Sequence, residues 1–388
     1  MKRILLTLLI LYIAGFAWAE PSVAIRQGEE KTDSVVTQDE NPSLLDRKEK
    51  TSFLERIVRP IEKLLDVDTN YVEPQHHNFQ AMMQNRYSYE VYQLTDEAGN
   101  TMRFEPKPSM KIGPYAGWSL LFWGYSIDVL HLTGDNRRQE FDVSLYTLPL
   151  GIDLFYRKSG DDYSLRDIKL TGIDTSSMEG VPFSGFESSV IGANFYYIFN
   201  HRRFSYPAAF NQSTVQKRSC GSALTGIGYT KHSLRIDIPT LNDLFLDNLG
   251  VDISNSFTKN LEAENITYTN LELSGGYAYN WVFAPRWCFA ASLSLALSYK
   301  RAVASNDYTG LDRFVHTITL QGFNLKDITI DGTGRFGIVW NTGKWFAGAS
   351  AIVHTYNYNK SQFYTNNTFG SVNIYAGFNF GLKKKYRR

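Results

Sequence analysis

The twelve residues CFAASLSLALSY, Cys288 to Tyr299, decide how the rest of the chain reads. The odd positions hold Phe289, Ala291, Leu293, Leu295, Leu297 and Tyr299, and the even ones hold Cys288, Ala290, Ser292, Ser294, Ala296 and Ser298. Successive side chains of a β-strand point to opposite faces, so this segment has one wholly apolar face and one of small, mostly polar residues. Its length also suits a tilted strand that crosses the hydrocarbon of a membrane.

The same split recurs on both sides. Between Thr267 and Phe283, Leu271, Leu273, Tyr277, Tyr279, Trp281 and Phe283 oppose Asn270, Glu272, Ser274 and Asn280. Between Asp327 and Asn341, Ile328, Ile330, Phe336, Ile338 and Trp340 oppose Asp327, Thr329, Asp331, Thr333 and Arg335. The last strand sets Val372, Ile374, Ala376, Phe378, Phe380 and Leu382 against Ser371, Asn373, Tyr375 and Asn379. Strands around 120–131 and 186–200 behave alike. The stretch 344–358 has no clear apolar face, and 139–157 changes register near Thr147, which a bulge beside Pro149 would explain.

A soluble β-sandwich alternates too, so strand length and connections decide. Here the strands run to about 12 to 17 residues, against the five or six usual in soluble sheets. Tight turns at Ala284-Pro285-Arg286, Asn341-Thr342-Gly343-Lys344 and Lys158-Ser159-Gly160-Asp161 interleave with longer polar loops near 96–107, 171–185, 240–265, 302–325 and 359–368. Short periplasmic turns and long outer loops are the habit of outer-membrane barrels. The expectation is an all-β, transmembrane, antiparallel up-and-down barrel over 85–388, with about twelve strands (range about ten to fourteen). The least marked boundary lies near Ser119. The segment HRRFSYPAAFNQSTVQ, His201 to Gln216, stands where a short turn is due, and either folds inward or forms a rigid cap.

The bulk numbers agree with this reading. Of 388 residues, 40 are Lys or Arg and 39 Asp or Glu, which gives no basic excess for nucleic acid. The 24 Tyr and 25 Phe suit a protein with aromatic belts at two interfaces. Mean hydropathy is only −0.28, as alternation dilutes the apolar residues.

Residues 1–19 read as a signal peptide: Lys2 and Arg3, an apolar run from Ile4 to Phe16, then Ala17-Trp18-Ala19, with cleavage expected after Ala19. Residues 20–50 read as a disordered periplasmic leader. An amphipathic helix is expected over Thr51–Asp66, from the spacing of Phe53, Ile57, Ile61, Leu64 and Leu65, with Pro60 bending it. That helix and its lead-in occupy 51–84. The location implied is the outer membrane, with membrane lipid and the barrel-assembly machinery as partners. The chain continues past Phe380 into Gly-Leu-Lys-Lys-Lys-Tyr-Arg-Arg. Cys220 and Cys288 are too few for a disulfide framework and read as ordinary small residues.

Several runs resemble a known family: GPYAGW (113–118), GYSIDV (124–129), LGIDLFYRKSGDDY (150–163), FYYIFNHRRFSYPAAFNQSTVQKRSCGS (195–222) and GIGYTKHS (226–233), with DTNYVEP (68–74) and YEVY (89–92) upstream. Over roughly 65–388 the chain is similar to the Bacteroidetes family called domain of unknown function 4421. The resemblance implies an envelope protein and brings no catalytic residues with it.

No enzyme is expected from the residues themselves. Of seven histidines, only His354 lies mid-strand, and Ser350, four positions earlier on its face, is about 13 Å away. His76-His77 lacks a third ligand, so no metal or cofactor is expected. Parity sends Asp128, Glu140, Asp142, Asp153, Arg157, Glu272, Asp331 and Arg335 to the interior. There these charges either line an aqueous path or interlock as ion pairs across a filled lumen. The leading reading is a channel or binding pore for a small solute, and the rival is a closed envelope scaffold without transport.

Overall fold

A computed structural model describes residues 66–96, 98–118, 121–124, 127–129, 139–253, 265–302, 327–360 and 363–387, all within the compact unit Leu64–Arg388. The expected signal peptide, leader and all but the last residue of the expected helix lie outside the described residues. Period-two structure begins earlier than sequence suggests. After the short β1 (Val72–Pro74), the first long strand, β2 (His77–Asp96), already starts at His77.

There follow β3 (Thr101–Pro106), β4 (Ser109–Trp118), β5 (Leu121–Gly124), β6 (Ile127–Asp128), β7 (Gln139–Tyr146), β8 (Leu150–Lys158), β9 (Tyr163–Lys169) and β10 (Phe186–Ile198). A five-residue helix, α1 (Tyr206–Phe210), precedes β11 (Thr214–Gln216) and β12 (Cys220–Ile236). The second helix, α2 (Ile238–Leu249), leads to β13 (Asn265–Ala284), β14 (Trp287–Ala302), β15 (Ile328–Asn341), β16 (Trp345–Lys360) and β17 (Phe363–Leu382). Asp237 caps α2 by accepting from the Thr240 amide, and Gly250, at φ 68°, ends it.

Twelve strands pair antiparallel along one path, β5-β4-β2-β17-β16-β15-β14-β13-β12-β10-β8-β7. The path follows chain order with the short β3, β6, β9 and β11 passed over, and the last strand pairs with the first long one, Val372 opposite Tyr87. The path curls until its ends approach. Lys111 Nζ on β4 lies 2.9 Å from Glu140 Oε2 on β7, although these strands stand almost at opposite ends of the path. The architecture is thus an all-β, antiparallel up-and-down sheet of barrel type. The boundary near Ser119 falls between β4 and β5.

The outer surface carries what a soluble protein hides. Leu293, Leu295, Leu297, Ile330 and Ile374 are about 60% exposed (62, 58, 58, 60 and 62%), while Ser292, Ser298, Asp331 and Arg335 on the opposite faces are buried. From Trp287 to Leu297 this apolar strip rises roughly 25 Å when a strand rise of about 3.3 Å per residue is tilted by about 40°. It is the inverse of a soluble sheet, whose large apolar residues face the core.

Three expectations are corrected. Residues 139–157 do not form one bulged strand: β7 and β8 make a hairpin, with Tyr146 opposite Gly151 and the Thr147 amide donating to the Leu150 carbonyl at 2.8 Å. Both strands end there, so parity restarts. Lys158–Asp161 is not a hairpin turn, because the chain goes on into β9, which pairs with β3 instead of β8. The supposed loop at 359–368 is mostly strand, with Lys360 already opposite Phe363. The turns at Ala284–Arg286 and Asn341–Lys344 stand as read. In the second, Gly343 takes φ 86°, a left-handed conformation that suits glycine.

Two cores lie inside the curl. At the long-loop end, Leu94, Met102, Phe104, Tyr163, Leu165, Phe183, Leu241 and Phe245 pack into an apolar cluster joining β2, β3, β9 and α2. At the short-turn end, Tyr146, Tyr196, Ile198, Phe204, Tyr206 and Leu224 form a second, more aromatic one. Among the described residues no helix is long and apolar enough to cross a membrane. Cys220 and Cys288 are both free thiols.

Candidate functional site

The segment 199–219 folds inward and forms a plug. Ser205 caps α1 by accepting from the Ala208 amide, and Pro207 sits in its first turn, where the missing N–H costs nothing. Phe204, Ser205, Tyr206, Ala208, Ala209 and Gln212 are all at most 2% exposed. Inward-facing side chains of the wall hold the plug's backbone. Asn280 Nδ2 donates to the Ser205 carbonyl at 2.8 Å, and Asn341 Nδ2 to the carbonyls of Gln212 and Thr214 at 3.4 and 3.3 Å. Gln212 Nε2 donates to Tyr375 OH at 2.7 Å, and Tyr206 OH to Ser292 Oγ at 3.1 Å. At the end of the plug, β11 pairs with β1 as a two-stranded ribbon.

Above the plug the interior is ionic. Asp153 on β8 pairs with Arg335 on β15 across the lumen and also accepts from Ser144 Oγ at 2.7 Å and Tyr146 OH at 3.0 Å. Arg335 donates to Tyr206 OH at 3.4 Å and lies over the Tyr196 ring at 5.3 Å, so one guanidinium ties wall to plug. Gly151 makes this possible, since a Cβ there would stand 2.1 Å from the Tyr196 ring. A second node surrounds Asp331, which accepts from Ser298 Oγ and Lys300 Nζ, each at 2.7 Å, and from the Asn357 amide at 2.9 Å. Lys300 also donates to the Asn357 carbonyl.

Towards the long-loop end comes an aromatic deck. Tyr268 stacks between Tyr358, at 4.3 Å, and His232, at 4.7 Å. The lid of β3, β9, residues 170–185 and α2 closes over it.

Between plug and deck remains a cavity of about 530 Å³. Phe210 and Asn211 of the plug form its floor, and Tyr356 and Phe369 its roof. Arg86, Lys111, Arg157 and Arg335 contribute four positive charges to its described walls, against two negative ones from Glu140 and Asp153. Arg157 stacks over Phe369 at 5.5 Å. His354 lines the same space, its Nδ1 3.0 Å from Thr333 Oγ1.

The interior candidates read from sequence therefore divide. Glu140, Asp153, Arg157 and Arg335 border the cavity, whereas Asp331 is locked in the Lys300 node. Glu272 accepts from Asn270 and borders a separate small void beside Arg335. Asp128 accepts from Ser109 Oγ at 2.8 Å beside the β4–β6 pair. The Asp142 side chain lies outside the described residues. Sequence reasoning missed Arg86, Lys111 and Lys300. Lys300 is one step beyond the even face of Cys288–Tyr299, and carrying the parity on by one residue finds it. Among the described residues no group of three His, Cys, Asp or Glu is placed to hold a metal ion.

Residues 66–380 match the family described as Domain of unknown function (DUF4421). A comparison with curated proteins gives no match. Among solved structures the chain is similar to the outer membrane protease OmpT from Escherichia coli, at 7% identity and TM-score 0.30, covering 78% of this chain and 97% of that one. It is also similar to the toluene transporter TodX of Pseudomonas putida, at 9% identity and TM-score 0.25, covering 79% and 91%. A third is the transport unit of the autotransporter AIDA-I from Escherichia coli, at 12% identity and TM-score 0.29, covering 84% and 97%. Likeness at this level leaves the role to be argued from the residues above.

Proposed function

The chain belongs to the Domain of unknown function (DUF4421) family, and from the geometry of this member we propose an outer-membrane β-barrel that binds a small anionic solute inside its lumen. The membrane part of this reading rests on the exposed apolar strip, which hydrocarbon satisfies and water does not. The observation that carries the solute is the cavity of about 530 Å³, whose described walls bring the guanidinium groups of Arg86, Arg157 and Arg335 and the Lys111 ammonium together beside Glu140 and Asp153. That volume is in the range of small-molecule sites. A continuous open pore is not what this interior supports, because plug and lid stand at its two ends.

The test is calorimetric titration of the refolded barrel with glucuronate and, as its uncharged counterpart, glucose. Binding of glucuronate alone, weakened by salt and lost in Arg157→Gln, supports the proposal. Equal binding of both sugars, or of neither, contradicts it.

The rival is a closed scaffold, favoured by the buried pairs Arg335–Asp153 and Lys300–Asp331, which interlock strands of the wall. It predicts a folded barrel that binds neither sugar. A hydrolase reading has less support. His354 meets Thr333, not the distant Ser350, and lipid or glycan turnover lost in His354→Ala is the result that would establish it.

A further inference from the structure

Charge is divided sharply between the two ends. The described residues of the short-turn end carry nine exposed Lys and Arg (in 202–218, 286, 344 and 383–387) against three acids, Asp66, Asp68 and Glu73. The lid segments 159–185 and 237–253 show the reverse, with two basic residues, Arg166 and Lys169, against nine acidic ones.

Part of the basic charge is set directly on an aromatic girdle. Trp345 (53% exposed) packs on Phe378 with ring centroids 5.3 Å apart, and Phe79 stacks on Phe380 at 5.4 Å. Lys344 immediately precedes Trp345, and its carbonyl accepts from the Asn379 amide at 2.7 Å, which places the turn beside the end of β17. Lys383 and Lys384 continue from that strand, with the Lys383 amide donating to the His76 carbonyl at 2.9 Å. Arg286 stands in the next hairpin turn, directly before Trp287, whose ring is 6.0 Å from Phe283. Outward aromatic rings followed at once by ammonium and guanidinium groups match the order of layers in a bilayer, from acyl boundary to phosphate.

We propose that this rim, Lys344, Lys383 and Lys384, with Arg286 held beside it by Glu73 at 2.9 Å, binds the phosphodiester headgroups of anionic phospholipids in the leaflet at the short-turn end. The rim seats the barrel at a fixed depth, while the acidic lid faces the opposite side. The inference rests on the membrane reading and is independent of what occupies the cavity.

The experiment reconstitutes the mature chain into vesicles of phosphatidylcholine alone and of phosphatidylcholine with phosphatidylglycerol, and compares melting temperatures. The expected result is a melting temperature several degrees higher with phosphatidylglycerol, a shift screened by high salt. The shift is lost in the combined variant Lys344→Gln, Lys383→Gln, Lys384→Gln and kept in the control variant Arg166→Gln, Lys169→Gln. Equal melting in the two vesicles overturns the proposal. So does an equal shift produced by inorganic phosphate added to phosphatidylcholine vesicles, which would assign the rim to a free anion. Should the variant fail to fold, the salt dependence of the wild-type shift decides. Failure of the chain to insert into either vesicle overturns the membrane reading, whereas insertion without lipid preference overturns this inference only.

Discussion

At the short-turn end the plug 199–219 is held by hydrogen bonds from four strands of the wall: Asn280 on β13 and Asn341 on β15 donate to its backbone, while Ser292 on β14 and Tyr375 on β17 accept from its Tyr206 and Gln212 side chains. At the long-loop end the lid hangs from the wall by the β3–β2 ladder and buries apolar side chains beneath it, Phe104, Tyr163, Phe183 and Phe245 among them. Hydrogen bonds are directional, so the plug has a single seat and its fit depends on named donors. Apolar burial is non-directional, so the lid depends on how completely its surfaces meet. One end is therefore closed by address and the other by contact area, and the ionic cavity lies between them.

The largest single effect is expected at the joint between plug and wall. Arg335→Ala leaves Asp153 buried without its cation and removes a tie to Tyr206, so stability falls by about 3–5 kcal/mol in urea unfolding. If the pair acts as one unit, Asp153→Asn combined with Arg335→Met costs less than the sum of the single changes.

Lid packing comes next. Phe104→Ala removes a fully buried ring and costs about 3–4 kcal/mol. Its signature is local, with faster hydrogen exchange in β3, β9 and α2 and unchanged protection in β13–β15. Uniform loss of protection would show that the lid and wall are one cooperative unit.

The outer wall separates a membrane protein from a soluble one. Leu295→Lys destabilises the barrel folded in lipid vesicles by about 2 kcal/mol or more, although a Lys at a site 58% exposed to water would leave a soluble protein almost untouched. The smallest effect is expected from Asn280→Ala, which removes its bonds to the Ser205 carbonyl and the Gln216 side chain and costs about 1–2 kcal/mol. That loss should appear as protease access to 199–219, with the lid unchanged.

The wall was legible in the sequence because lipid demands apolar side chains along the whole outer face while the interior tolerates polar ones. Cys288–Tyr299 shows this without ambiguity. β16 does not, since Phe346 faces inward near Tyr375, Tyr356 and Tyr358 face inward against the aromatic deck, and Trp345 and Val353 face outward. Both of its faces are apolar for different reasons, and alternation vanishes. The β7–β8 hairpin was hidden because Thr147-Leu148-Pro149 carries no glycine and resembles a bulge. HRRFSYPAAFNQSTVQ announced itself as too long for its place. Its inward seat depended on Asn280, Asn341 and Tyr375, partners more than 60 residues away. The cavity was half legible: parity supplied Glu140, Asp153, Arg157 and Arg335, while Arg86 and Lys111 come from strands with weaker alternation.

The central claim, a lipid-embedded barrel whose lumen is shut by its own plug, is tested most directly by planar-bilayer conductance of two proteins, residues 20–388 and a variant of it with Phe204–Gln216 replaced by a short Gly-Ser linker. No steady current is expected from residues 20–388 with the plug in place, and a larger, frequently open conductance from the variant. Equal steady currents from both, with the plug in place or removed, would contradict it.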